Sequence, residues 1–399
     1  MPPCLRSHLA SCALFLSGAL SGVVLLRLLA EPPPAPGLRA SPSPAAAAVP
    51  LLAASAAAAA PPPAAALAPP AYSCSAAEAA AQVEGLNPSD SSCPSDVWGA
   101  LHAVLACAES LTLVDVGANK GLVLASWISL FAPGAGVDAA AASARFVAAF
   151  PAMEGGDVAC GACGDCSKPP PKRRVGEGPC VGGSGAAGPR LSLHALEPAP
   201  ANAALIDAGV GALAAAAGVQ FSLHRVAAVG DASLTSVRFG DCPPGREVCG
   251  VHTPEAGAGG PGVYDPPIVD VPAVTLDAWV ATARLEALDI LAIDTEGLDA
   301  LVLQGARGVL NGSALPRRVK IVQFEYHSFR AWQYNSLEDV VNTLDSSGYD
   351  CYLLMQRKVL RLTRCWHPAL EFHYWSNVMC ALRAEVALNA ALTALAPLW

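Results

Sequence analysis

Apolar residues are grouped along the chain in a pattern that predicts strands alternating with helices. Short apolar runs typical of buried strands cover residues 111–117, 191–197, 219–229, 288–294 and 318–327. Alanine-rich or amphipathic stretches typical of helices cover residues 96–110, 201–217, 296–310 and 337–346. Two more β-like runs follow at residues 349–355 and 371–382. This alternation indicates an α/β fold with a doubly wound, mostly parallel sheet that closes with antiparallel strands.

The N-terminus carries one apolar segment. Eighteen uncharged residues run from Leu9 to Leu26, close to the minimum length that spans a bilayer. Arg6 favours a cytoplasmic N-terminus, although Arg27 on the far side weakens this asymmetry. We interpret residues 1–31 as a single-pass membrane anchor that leaves the following chain in the lumen of the endoplasmic reticulum or Golgi. A cleaved signal peptide of a secreted protein and a plastid transit peptide remain alternatives.

Low-complexity sequence sets the predicted domain boundaries. Residues 32–72 are rich in Ala and Pro, and because proline blocks continuous helix we expect a semi-extended stem. Residues 73–385 contain the predicted strands and form the folded domain. Within it, the Gly-, Ala- and Pro-rich residues 132–190 are expected to be a disordered insertion outside the packed sheet. Residues 386–399 are expected to form a C-terminal tail.

Composition and charge exclude one class of partner. Apolar residues make up 53% of the chain, but much of this is alanine in low-complexity segments, so the figure overstates the core. The formal net charge is −9. Because nucleic-acid binding normally depends on clustered Lys and Arg, we expect no nucleic-acid partner.

The cysteine content bears on the compartment. The chain has 14 cysteines, which is many for a cytosolic enzyme. Some lie close together in sequence, as in the local pairs Cys74 and Cys93, Cys242 and Cys249, and Cys351 and Cys365. We expect disulfides formed in an oxidising lumen. Free buried thiols are the alternative.

Two short motifs have a meaning that depends on this compartment. Cys160, Cys163, Cys166 and Cys180 have the close spacing of a metal site, but their glycine-rich setting favours a disulfide-bearing loop, and we expect no metal. Asn311, followed by Gly and Ser, is an N-glycosylation sequon. It is informative only if the domain is lumenal.

A glycine-containing turn follows the first predicted strand. The segment VDVGANKG ends at Gly121. Its two glycines, Gly117 and Gly121, allow the backbone to turn tightly and to approach a ligand. The helix that follows offers free N–H groups to an anionic group. Asp115, at the strand end, suits a cationic or amine-bearing ligand better than a bare pyrophosphate. A purely structural β–α turn would show the same pattern.

An acidic residue ends the second predicted strand. In open α/β sheets, ligands bind outside the carboxyl ends of the strands, and an acid on the second strand commonly accepts hydrogen bonds from ribose hydroxyls. Glu197 occupies this position, and the insertion accounts for its unusual distance from Asp115 along the chain. The alternative is a solvated acid at a helix start, next to Pro198.

Six motifs together carry a resemblance to a known family. VDVGANKG, LEPAPAN, VAAVGDAS, TLDAW, IDTEG with LVLQGA, and VQFEYH occur in the order and context typical of S-adenosylmethionine-dependent methyltransferases of the FkbM type. The chain resembles that family from Leu111 to His327, apart from the insertion, and most specifically from Ile293 to Ala306. The resemblance implies a seven-stranded methyltransferase-type sheet with an antiparallel C-terminal strand. Ala292 departs from the family pattern, because the family usually has a lysine at this position. The departure puts in doubt any contact with the acceptor that such a lysine would make.

The resemblance also implies the roles of single residues. The implied contacts of the methionine part of the cofactor are with Asp115, Gly117, Asn119 and Gly121. The ribose would contact Glu197, and the adenine would lie near Asp231. Asp294 and Glu296 would face the transferring methyl group. Asn119, in place of the middle glycine of the general methyltransferase loop, is typical of this family.

Methylation of a hydroxyl also needs a base that takes its proton. The catalytic candidates near strand ends on the ligand edge are Asp294, Glu296, Glu325 and His327. The alternative for the first two is that they only stabilise the dipole of the following helix. His327 is as well explained as a satisfied surface or core residue.

The predicted function is O-methylation with S-adenosylmethionine as cofactor. The predicted acceptor is a hydroxyl on a glycan or small polyol, since anchor, stem and lumenal cysteines favour the secretory pathway. One alternative is an NAD(P)-dependent oxidoreductase, which shares the glycine turn but leaves IDTEG unexplained. Another is a catalytically inactive, membrane-tethered interaction protein, suggested by Ala292 and the insertion.

Overall fold

The computed structural model describes residues 73–94, 97–132, 188–245, 250–251, 267–356 and 358–395 of the 399-residue chain. Every described residue belongs to one compact unit within Ala64–Trp399. The predicted anchor, the stem and nearly all of the predicted insertion fall outside the described residues, as do Cys160, Cys163, Cys166 and Cys180.

The strands form a large mixed sheet and a small one. They are β1 (Ser110–Val116), β2 (Arg190–Leu196), β3 (Gln220–His224), β4 (Ala227–Ala228), β5 (Ser236–Gly240), β6 (Ile268–Val274), β7 (Ile290–Ile293), β8 (Ile321–Tyr326), β9 (Tyr349–Leu354), β10 (Val359–Arg361) and β11 (Ser376–Leu382). The large sheet has the order β10-β9-β11-β8-β7-β1-β2-β3, and the small one has the order β4-β6-β5. Strands β3, β2, β1, β7 and β8 are parallel, whereas β11 is antiparallel to both of its neighbours.

The helices cover both faces of the large sheet. They are α1 (Ala76–Gln82), α2 (Trp98–Leu105), α3 (Leu122–Phe131), α4 (Pro200–Ala217), α5 (Leu276–Ala283), α6 (Asp299–Gln304), α7 (Arg307–Asn311), α8 (Leu337–Ser346) and α9 (Val386–Ala394). Helix α4 contains a π-helical stretch, Asp207–Gly211. Helices α2, α3, α4 and α9 share one apolar cluster, and helices α5 to α8 share a second. The α/β class and the mostly parallel sheet are therefore confirmed.

The sheet differs from the predicted seven strands in two ways. Residues Val359–Arg361 form an eighth strand on the outer edge, antiparallel to β9; three residues are too few for an apolar pattern to stand out. The predicted strand at residues 219–229 is two strands, because Ala227 and Ala228 leave β2 and pair with β6 of the small sheet. The hairpin-like pairing of β5 with β6 was not predicted.

Two helical segments also differ from expectation. The predicted helix at residues 296–310 breaks at Gly305, because the Asp277 carboxylate accepts hydrogen bonds from the N–H groups of Gly308 and Val309, each at 2.8 Å, and so starts a new helix. The segment expected to be a tail contains α9, whose Leu388 and Leu392 are buried. The helix predicted at residues 337–346 has those bounds in the structure.

The disulfides do not follow the local pairs expected from sequence. Cys74 bonds to Cys365, 291 residues away, and Cys351 bonds to Cys380 on the adjacent strand β11. The fold sets these partners, because it brings the start of α1 next to the loop after β10. Cys93, Cys107 and Cys242 are also disulfide-bonded, so the expected disulfides are present, although their pairing was not predicted. Cys249, which is close to Cys242 in sequence, lies outside the described residues.

One helix in the described part of the chain is long and apolar enough to cross a membrane. It is α4, Pro200–Ala217, and 39% of it is buried inside the protein. Its Leu205, Ile206 and Val210 belong to the apolar cluster on one face of the sheet. Helix α4 therefore has the features of a core helix. The apolar segment at residues 9–26 lies outside the described residues.

Candidate active site

An open cleft lies at the carboxyl ends of the central strands. It encloses about 570 Å³ and is lined from several elements. The residues that line it are Gly117, Asn119, Leu196, Glu197, Pro198, Asn202, Val226, Ala227, Ala228, Phe239, Gly250, Val251, Asp294, Thr295, Glu296 and Leu298. Five of the predicted site residues are among them. The cleft lies at the edge of an α/β sheet where ligands are expected to bind.

The turn between β1 and α3 brings backbone close to the cleft. Gly117 (φ +82°), Asn119 (φ 44°) and Gly121 (φ +79°) all have left-handed conformations. Asparagine tolerates this region better than most residues, which explains its place between two glycines. A Cβ atom on Gly117 would collide with the carbonyl oxygen of Asp294, and one on Gly121 would collide with the Val210 side chain. Only glycine therefore fits at these two positions.

The Glu197 carboxyl is held by this turn and by the start of α4. It accepts hydrogen bonds from the backbone N–H groups of Asn119 and Ala199, each at 2.8 Å, and it contacts the Asn202 side chain. Burial raises the pKa of Glu197 to about 7, partly offset by these hydrogen bonds. With two backbone bonds and the Asn202 contact, the carboxylate keeps capacity for about one more hydrogen bond, from a ligand hydroxyl. The insertion does not separate Asp115 from Glu197, because β1 and β2 are paired neighbours.

Asp115 and Glu197 are the most buried of the predicted acids, and each is 3% exposed. The Asp115 Oδ2 has no hydrogen-bond partner among the described residues. Burial, and then the negative charges of Asp294 and Glu197, raise the pKa of Asp115 to about 8. Asp115 is therefore mostly protonated at neutral pH. A cationic ligand beside these three carboxyls would favour their ionised forms and would be stabilised by them.

The IDTEG segment forms a tight loop after β7. Asp294 is exposed, and Glu296 (φ 55°) and Gly297 (φ +92°) are left-handed. The buried Asp299 carboxylate accepts the N–H groups of Thr295 and Gly297, each at 3.2 Å. Burial, with the charge of Asp294, raises the pKa of Asp299 to about 7. Asp299 thus fixes the loop that carries Asp294 and Glu296.

Glu325 and His327 lie against this loop at the end of β8. His327 is fully buried, and its Nδ1 accepts the Phe329 N–H at 3.0 Å. Burial and the charge of Arg330 lower the pKa of His327 to about 4, so the ring is neutral and its proton resides on Nε2. This Nε2 lies 3.5 Å from Glu325 Oε2. Nε2 has no hydrogen-bond partner among the described residues, and His327 has no exposed nitrogen with which to take a proton from an acceptor.

Burial raises the pKa of Glu325 well above its usual range, and the charges of Asp294, Glu296 and Asp299 add to the effect. The Trp375 indole hydrogen-bonds this carboxyl and lowers its pKa in part. The charge of Asp294 is thus felt by four buried acids: Asp115, Glu197, Asp299 and Glu325.

Asp231 lies apart from the other predicted residues. It is fully exposed, does not line the cleft, and accepts the Ser233 N–H at 2.8 Å. This bond lowers the pKa of Asp231. A contact of Asp231 with an adenine stays a prediction.

Four residues at the site were not predicted from sequence. They are Asn202, which contacts Glu197; Asp299; Arg330, whose Nη1 donates to the Glu296 carbonyl oxygen at 3.0 Å; and Trp375. Asp299 lies within the IDTEG–helix motif, so that motif could have indicated it. No signal in the sequence connects Trp375 to Glu325, because the two residues are 50 positions apart. Among the described residues, no group of three or more His, Cys, Asp or Glu could hold a metal ion.

The fold and this site define a methyltransferase-like α/β protein. The antiparallel β11 lies between β8 and β9, and a glycine turn and an acid end the first two central strands. Residues 185–351 match the model of the FkbM methyltransferase domain, which confirms the resemblance. The glycine turn at residues 117–121 precedes the matched range. Comparison with curated proteins found no match, and comparison with solved structures found none either.

Proposed function

We propose that this protein is an S-adenosylmethionine-dependent O-methyltransferase. The observation that carries the proposal is a cluster of carboxyl groups at the cleft: Glu197, Asp294 and Glu296 line it, and Asp115 and Glu325 lie close enough to feel the charge of Asp294. S-adenosylmethionine, when bound, supplies an electrophilic methyl group on a positively charged sulfonium and also carries an ammonium group. A cleft with several buried carboxyls and an unpartnered Asp115 oxygen fits such a cation far better than the pyrophosphate of NAD(P).

The residues that would hold the cofactor are those of the β1 turn and the end of β2. Gly117 and Asn119 bring backbone to the cleft. The buried Asp115 carboxyl would ionise beside the positively charged methionine part, because a nearby cation lowers its raised pKa. Glu197 accepts hydrogen bonds from two backbone N–H groups and from Asn202 and keeps capacity for about one more, from a ribose hydroxyl. Among the predicted cofactor residues, Asp231 has the weakest support, because it does not line the cleft.

Asp294 is the base that we propose for the acceptor hydroxyl. It is exposed at the cleft, whereas His327 is buried with Nδ1 already engaged. Burial raises the pKa of Glu325 well above its usual range, and the Trp375 indole already hydrogen-bonds its carboxyl, so Glu325 is less available than Asp294 to an acceptor hydroxyl. Asp294 would take the hydroxyl proton as the oxygen becomes a nucleophile, while Glu296 and Glu325 hydrogen-bond the acceptor.

The decisive test measures binding and transfer separately with the detergent-solubilised full-length chain. Isothermal titration should give saturable binding of S-adenosylmethionine and none of NAD(P). Asp294→Asn should keep this binding but lower transfer of a labelled methyl group by roughly 10²–10⁴-fold, the usual contribution of a general base. Binding of NAD(P) without binding of S-adenosylmethionine would instead support the oxidoreductase alternative. An unchanged rate in Asp294→Asn would show that another group is the base.

We also propose that the domain works in the lumen of the secretory pathway, on a glycan or small polyol, behind an N-terminal membrane anchor. The disulfides and the exposed Asn311 support an oxidising, glycosylating compartment. In sealed microsomes, the domain should resist added protease, and glycosidase should increase its gel mobility except in the variant Asn311→Gln. Digestion in sealed vesicles would place it in the cytosol.

A further inference from the structure

Two aromatic side chains lie together beside the acidic part of the cleft. Phe329 is 41% exposed, although it is large and apolar. Its ring centroid is 5.0 Å from that of Trp375, with the ring planes at 79°. Trp375 is half-buried. We call this pair the aromatic platform.

The aromatic platform is joined to the candidate catalytic groups by direct contacts. The Trp375 indole hydrogen-bonds the Glu325 carboxyl, and its ring stacks on His327 with centroids 4.6 Å apart. The Phe329 ring also contacts the His327 ring, with centroids 5.3 Å apart, so the three rings pack against one another. A Cβ atom on Gly297 would come within 2.8 Å of the Phe329 carbonyl oxygen, so the IDTEG loop packs directly against this segment.

The charges around the platform are mainly negative. Asp294, Glu296, Asp299 and Glu325 surround the loop, and Asp294 and Glu296 line the cleft itself. Arg330 is the nearby cation, and its Nη1 already donates to the Glu296 carbonyl oxygen. Because carboxylates repel phosphate, sulfate and carboxylate groups at this distance, an anionic acceptor would be disfavoured.

We infer that Phe329 and Trp375 form the acceptor subsite and that the acceptor is a neutral, hydroxyl-rich ring such as an uncharged sugar. Aromatic faces carry partial negative charge and attract the C–H groups on one face of such a ring, while the ring hydroxyls donate to carboxylates. This inference rests on the proposed function, since it names the substrate class of the same site. It also predicts an effect of ligand charge: the protein should bind the same sugar more weakly when the sugar is sulfated or phosphorylated.

The test uses methyl β-galactoside and methyl α-mannoside, their 6-sulfates and 6-phosphates, and the cationic methyl glucosaminide as probes. Binding to the full-length protein with S-adenosylmethionine is followed by saturation-transfer NMR, and methyl transfer is followed in parallel. At least one neutral glycoside should bind, and its 6-sulfate and 6-phosphate should bind at least about threefold more weakly. Phe329→Ala should weaken binding of the neutral glycoside, and raise its KM, roughly three- to tenfold.

Two controls keep the outcomes distinct. Tyr334→Ala removes an aromatic ring that is 77% exposed but lines a different cavity beside α8, and it should leave glycoside affinity within twofold. Trp375→Leu serves as a second platform variant. In both platform variants, affinity for S-adenosylmethionine should also stay within twofold, which separates a lost acceptor subsite from a damaged cofactor site.

Several results would overturn the inference. They are absence of glycoside binding by a protein that binds S-adenosylmethionine, preference for a sulfated, phosphorylated or cationic ring, and wild-type glycoside affinity in folded Phe329→Ala and Trp375→Leu. Failure to bind S-adenosylmethionine would instead contradict the proposed function. Glycoside binding measured without cofactor would then still decide whether the platform holds a sugar.

Discussion

At the scale of single residues, Glu197 gives a direct test of the cofactor site. Its two oxygens accept the N–H groups of Asn119 and Ala199, and a glutamine there could satisfy only one of them. Glu197→Gln should weaken S-adenosylmethionine binding about 10–100-fold by titration calorimetry, because charge-assisted hydrogen bonds to the ribose contribute about 1.5–3 kcal/mol. The exposed Asp207 on α4 offers the control Asp207→Asn, which should bind normally. Wild-type affinity in folded Glu197→Gln would restrict Glu197 to a structural role.

The same scale shows what a sequence can and cannot indicate. Acids at strand ends were predicted because the pattern of strands fixes where their carboxyl ends lie, and Glu197 and Asp294 both line the cleft. The burial of His327 could not be predicted, because it depends on packing against the distant Trp375. Asp231 follows a strand in sequence, yet it caps its own exposed turn.

At the scale of elements, Asp277 shows why the TLDAW motif matters to the fold. Its carboxylate accepts the N–H groups of Gly308 and Val309 at the start of α7, which would otherwise lack partners. Asp277→Ala should lower the free energy of unfolding by about 1–2 kcal/mol in chemical denaturation. Affinity for S-adenosylmethionine should stay within a few-fold, because Asp277 does not line the cleft. A variant as stable as the wild type would contradict this role.

Element boundaries were the least predictable part of the fold. Helix α8 has its predicted bounds, because Ser336 caps it with a hydrogen bond to the Asp339 N–H and its apolar face has a clear period. The break at Gly305 was not predictable, because it is set by Asp277, which lies on a different helix. At α8 the distant group supports the local signal, because Glu371 accepts the N–H groups of Leu337 and Glu338 at the helix start that Ser336 already marks.

At the scale of the whole molecule, the buried carboxyls should make stability fall as pH rises. Asp115, Glu197 and Asp299 have pKa values near 8, 7 and 7, above those of an unfolded chain. The native state therefore binds more protons than the unfolded state between about pH 4 and 8, and stability is lost across that range. His194 and His327, with pKa values near 4, act in the opposite direction, but only below about pH 6.5.

Between pH 6.5 and 8, therefore, the carboxyl groups change stability without an opposing effect from these two histidines. Without cofactor, the free energy of unfolding should fall there by on the order of 2 kcal/mol, measured by urea denaturation at constant ionic strength. Asp115→Asn should remove most of this decline, because Asp115 has the highest pKa of the three acids. A constant or rising stability over the window would show that these carboxyls are already ionised at pH 6.5.

The Cys74–Cys365 disulfide should be a large contributor to stability. It closes a loop of 291 residues, and the restriction of the unfolded chain grows with loop length. The double variant Cys74→Ser/Cys365→Ser should lose about 2–4 kcal/mol in chemical denaturation. Each single variant should lose a similar amount, since either change breaks the same bond. A double variant with wild-type stability would show that the bond does not form in solution.

The class of the fold could be predicted for the whole domain, because alternating strands and helices leave few topologies for a parallel sheet. The disulfides could not, because they depend on which ends of the fold meet. Cys351 and Cys380 are directly paired across β9 and β11, a register that no local pattern specifies.

The two ends of the described domain come together on the outer edge of the sheet. The Cys74 N–H donates to the Arg364 carbonyl oxygen, and the Val359 N–H donates to the carbonyl oxygen of Leu395. A short linker from residue 395 to residue 73 would therefore join ends that both dock on residues 359–365. Circular permutation should be tolerated, with new termini opened between Ala132 and Gly188. The new termini would lie towards the edge of the large sheet opposite β10 and could be used as a fusion point. The original ends would stay joined beside β10.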